Sequence, residues 1–132
     1  MKSKNFELVS CSKEYWEFVR NLRNDERVLK GFIEVKKISK KDQEKYMKKN
    51  SKFFRIALLN AKPVGYIGVL DNDIRVCTHP DYQNIGVGKF MVQSIKEIWP
   101  EAQAKIKLEN LTSLKLFESC GYKKKYFLLE RN

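Results

Sequence analysis

The chain has 132 residues, 42% hydrophobic and 12% aromatic, which suits one domain around one core and excludes a disordered chain. Its 27 Lys and Arg outnumber 16 Asp and Glu, and a net charge of +11 attracts anions such as phosphorylated metabolites or nucleic acid. No apolar run approaches the ~20 residues of a membrane span, no signal-peptide core opens the chain at Met1-Lys2-Ser3-Lys4-Asn5, and Cys11, Cys77 and Cys120 lack metal-ligand spacing. The expectation is a reduced, cytoplasmic protein with neither metal nor membrane partner.

In chain order, Phe6-Glu7-Leu8-Val9 reads as a first strand. Ser10 to Ser12 offers N-cap hydroxyls to a helix whose stripe is Tyr15, Phe18, Val19 and Leu22, and which ends in the charged run from Arg23 to Arg27. Residues 28–38 read as a loop with a short extended piece at Phe32–Val35. Ser39-Lys40-Lys41-Asp42 starts a helix with Tyr46 and Met47 inward and lysines outward, ending by Asn50. Phe53–Leu59 and Val64–Leu70 are strands joined by a turn at Asn60–Pro63, and Asp71-Asn72-Asp73 turns the chain into a third. After a helix closed by Trp99-Pro100, Lys105–Leu108 alternates as a short strand. A crossover helix implies that it pairs in parallel with residues 73–78. Asn110 to Cys120 is a helix stopped by Gly121, and Tyr122–Glu130 reads as a final strand. The order gives a mixed sheet with helices on its faces, an α/β or α+β fold in a single domain over residues 1–132. The lysine clusters within residues 36–52 and at 123–125 read as solvated surface.

The stretch Ile74–Val92 carries the chemistry. A half-buried strand, Ile74 to Thr78, is stopped by His79-Pro80-Asp81-Tyr82, and Gly86-Val87-Gly88 then opens a helix. Glycines there let helix-start N–H groups approach a ligand, and such groups suit a phosphate or pyrophosphate. The chain has no Gly-x-x-x-x-Gly-Lys-Ser/Thr, and Met91 stands where a dinucleotide fingerprint needs a small residue. What remains is Gln83-x-x-Gly86-x-Gly88 after a Thr78-x-Pro80 strand end.

That spacing resembles the acetyl-CoA pyrophosphate loop of the GNAT acetyltransferase superfamily. Asn110 to Tyr122, an Asn, a helix, then Gly121 followed by an aromatic, is similar to its second cofactor segment. The resemblance covers the C-terminal half through these motifs and the N-terminal half through its order of elements. It implies a sheet splayed at its centre, with the pantetheine arm of acetyl-CoA in the gap. Val76, Cys77 and Thr78 would then give backbone contacts to the arm, and Gln83, Asn84, Ile85, Gly86, Val87, Gly88 and Lys89 would hold the pyrophosphate. Asn110 would contact the pantetheine, besides being a good N-cap, with Ser113 and Phe117 near it.

The implied reaction is direct acetyl transfer from the thioester to a primary amine. The family's frequent general acid is a tyrosine four residues before the Gly-aromatic pair, where this chain has Phe117, an aromatic with no proton to give. No catalytic residue is therefore assigned. Asp73, His79, Ser113 and Tyr122 are the candidates, with Tyr126 or water as other donors and Asp71 or Glu34 as other carboxylates. Cys77 has no histidine partner nearby in sequence and reads as a small strand residue. The implied acceptor is a small-metabolite amine such as an amino sugar linked to a nucleotide, with a peptide or protein N-terminus as the alternative. Two further readings stay open: a basic module that binds nucleic acid or other anions, and an inactive acetyl-CoA-binding relative. Self-association as a homodimer is also open.

Overall fold

The computed structural model describes residues 5–33 and 35–131. Four strands form one antiparallel sheet in the order β1 (Phe6–Ser10), β2 (Phe54–Leu59), β3 (Lys62–Leu70) and β4 (Asp73–Thr78). Two tight turns set the register of its last three strands. Asn60 and Ala61, at φ 50° and 69°, join Leu59 to its partner Lys62, and Asp71 and Asn72, at φ 50° and 66°, join Leu70 to Asp73. Paired positive φ values give the hairpin turn whose twist matches the strands, and Asn and Asp tolerate that geometry best after glycine.

Among the described residues five α-helices cover the sheet: α1 (Trp16–Asn24), α2 (Glu26–Leu29), α3 (Lys40–Asn50), α4 (Val87–Ile95) and α5 (Leu111–Ser119). Strand alternation sorts the core into two layers. On one face Ile56, Tyr66 and Cys77 lie side by side across β2, β3 and β4, and pack with Val19 and Leu22 of α1 and Met47 of α3. On the other, Ala57, Ile67 and Ile74 pack with Val87, Met91, Val92 and Ile95 of α4 and Phe117 of α5. Gly68 lets the Phe54 ring lie across the sheet, since a Cβ there would sit 2.4 Å from that ring.

The helix ends follow the side chains written there. Ser39 caps α3 by accepting the Asp42 N–H at 3.1 Å. Asn110 caps α5 by accepting the Ser113 N–H at 3.1 Å. Gly121, at φ 92°, ends α5: its N–H bonds the Glu118 carbonyl, and the Tyr122 N–H reaches back to that of Phe117. That pair of bonds is the usual glycine-terminated helix end. The hydroxyls at 10–12 do not cap α1; Ser12 Oγ donates to Glu14 instead.

Two expected strands are not formed. The parallel relation to β4 is a single bridge, Asp73 to Gln103, after which 104–108 makes no ladder. Residues 122–130 form no strand: beyond the Tyr122 N–H that helps end α5, they make no backbone hydrogen bond to a described residue. Of the extended piece expected at Phe32–Val35, Glu34 lies outside the described residues and the other three belong to no strand. Among the described residues no helix is long and apolar enough to cross a membrane.

Candidate active site

The lost parallel pairing opens the sheet. The Ile74 N–H donates to the Gln103 carbonyl at 2.7 Å, so the backbone of Ile74 faces away from β3. Alternation turns the backbone groups of Val76 and Thr78 toward that same side. The Val76 N–H and C=O have no partner among the described residues, and the Thr78 carbonyl accepts the Gln83 side chain at 3.3 Å and the Cys77 thiol at 3.9 Å. A groove of about 1040 Å³ runs along this free edge. One wall is 105–117, including Lys105, Asn110, Ser113 and Phe117; the other comes from α1, α2, α3 and β3, including Arg23, Arg27, Tyr46 and Tyr66. At one place the walls touch. Lys107 Nζ donates to the Lys30 carbonyl at 3.0 Å, and Asn110 Nδ2 to that of Gly31 at 3.4 Å.

At the other end of β4 the chain turns through Pro80–Tyr82 into α4. Asn84 and Gly86 stand at φ 61° and 98°. Gly86 is the N-cap of α4 and no side chain caps that end. The N–H groups of Gly86, Val87, Gly88 and Lys89 donate to no described protein group. These amides sit at the positive end of the helix dipole. A Cβ on Gly88 would lie 3.0 Å from Leu116 of α5, so glycine there also lets the helices close together.

The sequence-derived residues divide. Val76, Cys77, Thr78, Gln83, Asn110, Ser113 and Phe117 line the groove, as does Asp73, whose Oδ1 is buried with no hydrogen-bond partner while Oδ2 lies 3.9 Å from Arg75 Nε. His79 lines a separate hollow of about 400 Å³, beside Tyr82, and its Nδ1 accepts the Asp81 N–H at 3.1 Å. Tyr122 stands edge-on to Phe117 at 5.2 Å with Lys96 over its ring, off the groove. Tyr126 is 84% exposed. Burial pushes the Cys77 thiol up to about 12, and the nearby Asp25 carboxylate adds to the rise, so the thiol stays protonated at neutral pH.

Sequence reasoning passed over a cluster beside Cys77. Tyr66 is the partner of Cys77 in the β3–β4 register, and its hydroxyl is held well above the usual range, first by burial and then by Cys77. Tyr46 is raised by burial as well, against the pull of Arg75 and Arg23. Arg23 lies 5.8 Å from the centre of the Tyr46 ring. These four side chains come from α1, α3, β3 and β4, so no local motif joins them. The available signals were the charged run that starts at Arg23 and the inward face of Tyr46 on its helix.

Residues 49–124, more than half of the chain, match the family model of the acetyltransferase (GNAT) domain. No curated protein matches the chain in sequence. Among solved structures it is similar to spermidine N-acetyltransferase from Vibrio cholerae in complex with CoA and spermine, at TM-score 0.80 and 15% identity over 96% of this chain and 85% of that one. An aminoglycoside N-acetyltransferase in complex with CoA gives 0.73 and 12% over 99% and 96%. Ribosomal-protein-alanine N-acetyltransferase from Brucella melitensis gives 0.75 and 15% over 87% and 83%. The open strand edge, the uncapped helix start and the family match agree, and the chain belongs to the GNAT acetyltransferase family.

Proposed function

We propose that this chain, as one catalytic domain, moves an acetyl group from acetyl-CoA to a primary amine of a small metabolite. The observation that carries the reading is a pair of unpartnered backbone surfaces on one stretch of chain: the Val76 edge, which lines the groove, and the α4 N-terminus, which begins three residues past Gln83 of the same lining. The pantetheine amides would bond the Val76 edge as a strand would, and the diphosphate would take the N–H groups of residues 86–89. Asn110 Oδ1, already accepting the Ser113 N–H, keeps a lone pair for a pantetheine N–H.

The amine nitrogen attacks the thioester carbonyl, its C–S bond breaks, and the nitrogen sheds a proton. The Val76 N–H would donate to the oxyanion. Of the groove carboxylates Asp73 and Glu109, Asp73 on β4 itself, with Oδ1 buried and unpartnered, would take the proton. Phe117 has none to give, and a thiol pKa of ~8.5 lets the sulfur depart as thiolate or collect a proton from water.

For the acceptor, seven Lys and Arg residues line the groove against Asp73 and Glu109. Such a lining favours an amine that also bears phosphate or carboxylate, as an amino sugar nucleotide does, over polycations such as spermine. Calorimetry with acetyl-CoA, followed by thiol release against a panel of amines, tests the reading. Binding with turnover on a phosphorylated amino sugar is expected. Turnover only on a peptide N-terminus would move the acceptor class. Binding without turnover on any amine would make the chain an inactive relative, and binding of nucleic acid but not acetyl-CoA would sink the enzyme reading.

A further inference from the structure

Arg23, Arg27 and Arg75 all line the groove, and they are not alike. Arg27 is taken: it holds Asp25 at 2.8 Å and Asp81 at 3.1 Å. Arg23 has no ion pair among the described residues, and its guanidinium lies 5.8 Å from the centre of the Tyr46 ring. The ion pair of Arg75 to Asp73 is loose, at 3.9 Å. Its positive charge, with that of Arg23, acts on the hydroxyl of the same Tyr46. Register brings this about. Arg75 is the partner of Gly68, and the Phe54 ring over Gly68 stands 6.2 Å from Tyr46 and 6.1 Å from Tyr66. Two guanidinium groups brought to one ring repel, and neutral rings around them leave less water to screen the repulsion. An anion between them removes that cost, and bonds from guanidinium forks to an acid are among the strong ones.

We propose that Arg23 and Arg75 form a subsite for the acid group of the acceptor, a carboxylate or phosphate monoester carried by the same molecule as the reacting amine. This rests on the acetyl-transfer reading and narrows it. The summed charge of the groove attracts any anion, whereas two forks facing one ring select a single acid at a set place. That place is close to the chemistry. Arg75 immediately precedes Val76, whose N–H faces the thioester carbonyl in that reading, and alternation puts Arg75 on the same face of β4 as Cys77. Amine and acid therefore sit near each other, and a compact molecule, an amino acid or a phosphorylated amino sugar, spans the two. An amine without an acid leaves the two guanidinium groups facing each other uncompensated, and a polycation adds to the repulsion. Rejection of the wrong amine is thus built from the same pair that holds the right one.

The test reads the two side chains first and the chemistry second. Inorganic phosphate and acetate are titrated separately into the full chain, with and without CoA, while the arginine Nε–H signals are followed by NMR. Those of Arg23 and Arg75 should move together and saturate while Arg27 stays still. The amides of residues 86–89 report the helix start separately, so the two anion sites are told apart. Saturation by either anion supports the subsite, and the tighter of the two names the acid. Arg23→Gln and Arg75→Gln should each weaken that binding at least about tenfold, with the fold intact by circular dichroism. In initial rates, glucosamine 6-phosphate over glucosamine, or glycine over glycinamide, should show at least about a tenfold preference in kcat/KM, carried by KM. Either variant should bring that preference toward one, and Arg75→Lys, which keeps the charge and loses the fork, should fall between. Lys41→Gln, at an exposed position outside the groove, should leave the preference as it is. Arginine signals that do not move, equal rates on the acidic and neutral amines, or a preference that survives both variants would overturn the subsite. A chain that moves both arginine signals, yet binds no acetyl-CoA and acetylates no amine, would sink the acetyl-transfer reading and leave the anion site standing.

Discussion

Gly86 shows how one residue joins fold and chemistry. Its φ of 98° lies in the left-handed region, while the space around its missing Cβ is open, the nearest atom being Phe6 at 3.8 Å. The demand for glycine is therefore one of backbone conformation and not of protein packing. Gly86→Val should cost about 1–2 kcal/mol or more in stability, because an L side chain in that region meets its own backbone. It should also weaken acetyl-CoA binding by at least about tenfold in calorimetry, because the branched side chain stands at the helix amides. Cys77 is the opposite case. With its thiol pushed up to about 12, it should resist iodoacetamide at pH 8 in the folded chain, and Cys77→Ala should leave turnover within about threefold. Loss of turnover in that variant, with binding intact, would assign the thiol a chemical role. Asp25 offers a pH test. It caps α2 and pairs with Arg27, and those hydrogen bonds hold its carboxyl down to about 2. A carboxyl lowered on folding stabilises the fold above its unfolded pKa of ~3.9, and that help fades as pH falls through the folded value. The difference in Tm between the parent and Asp25→Asn should therefore shrink from pH 5 to pH 2, and it should be small throughout, because the pair is exposed to solvent.

Among the elements, the sheet is assembled from hairpins whose turns are local and whose groove face is laid out by register. Phe54, Gly68 and Arg75 are successive partners across β2, β3 and β4. The Phe54 ring fills the space over Gly68, and Arg75 beside it lines the groove. Gly68→Ala should lower stability by about 1–3 kcal/mol in a urea titration, because a methyl 2.4 Å from the ring forces Phe54 off its site. An unchanged midpoint would mean that the ring shifts freely. The hairpins were legible because Asn60 and Asn72 write the turns and alternation writes the strands. The strands expected at 105–108 and 122–130 were not, because alternation reports only that a segment has two unlike faces. Whether it pairs depends on a neighbour, and here β4 parts from 104–108 after one bridge while residues 123–131 make no backbone hydrogen bond to a described residue.

For the whole molecule, the groove is a gap beside β4 that acetyl-CoA would fill on the proposed reading, so binding should feed back on stability. Acetyl-CoA at a hundred times its dissociation constant adds about 2.7 kcal/mol to the folded state, which for a chain this size raises Tm by roughly 5–15 °C. The shift should shrink with salt, since the diphosphate is an anion in a basic groove. An unmoved Tm at saturating acetyl-CoA would count against the groove as its site.

The sequence by itself determined whatever is local: the hairpin turns, the caps at Ser39 and Asn110, and the glycine-paved helix start at Gly86. Each depends on a few adjacent residues and their own φ, ψ and side-chain hydrogen bonds. Only the tertiary structure decided which strand edge stays open, that Arg23, Tyr46, Tyr66 and Arg75 gather beside Cys77, and that His79 and Tyr122 lie off the groove. Those outcomes depend on which elements pack side by side, and contacts between residues far apart in the chain leave no periodic trace in it.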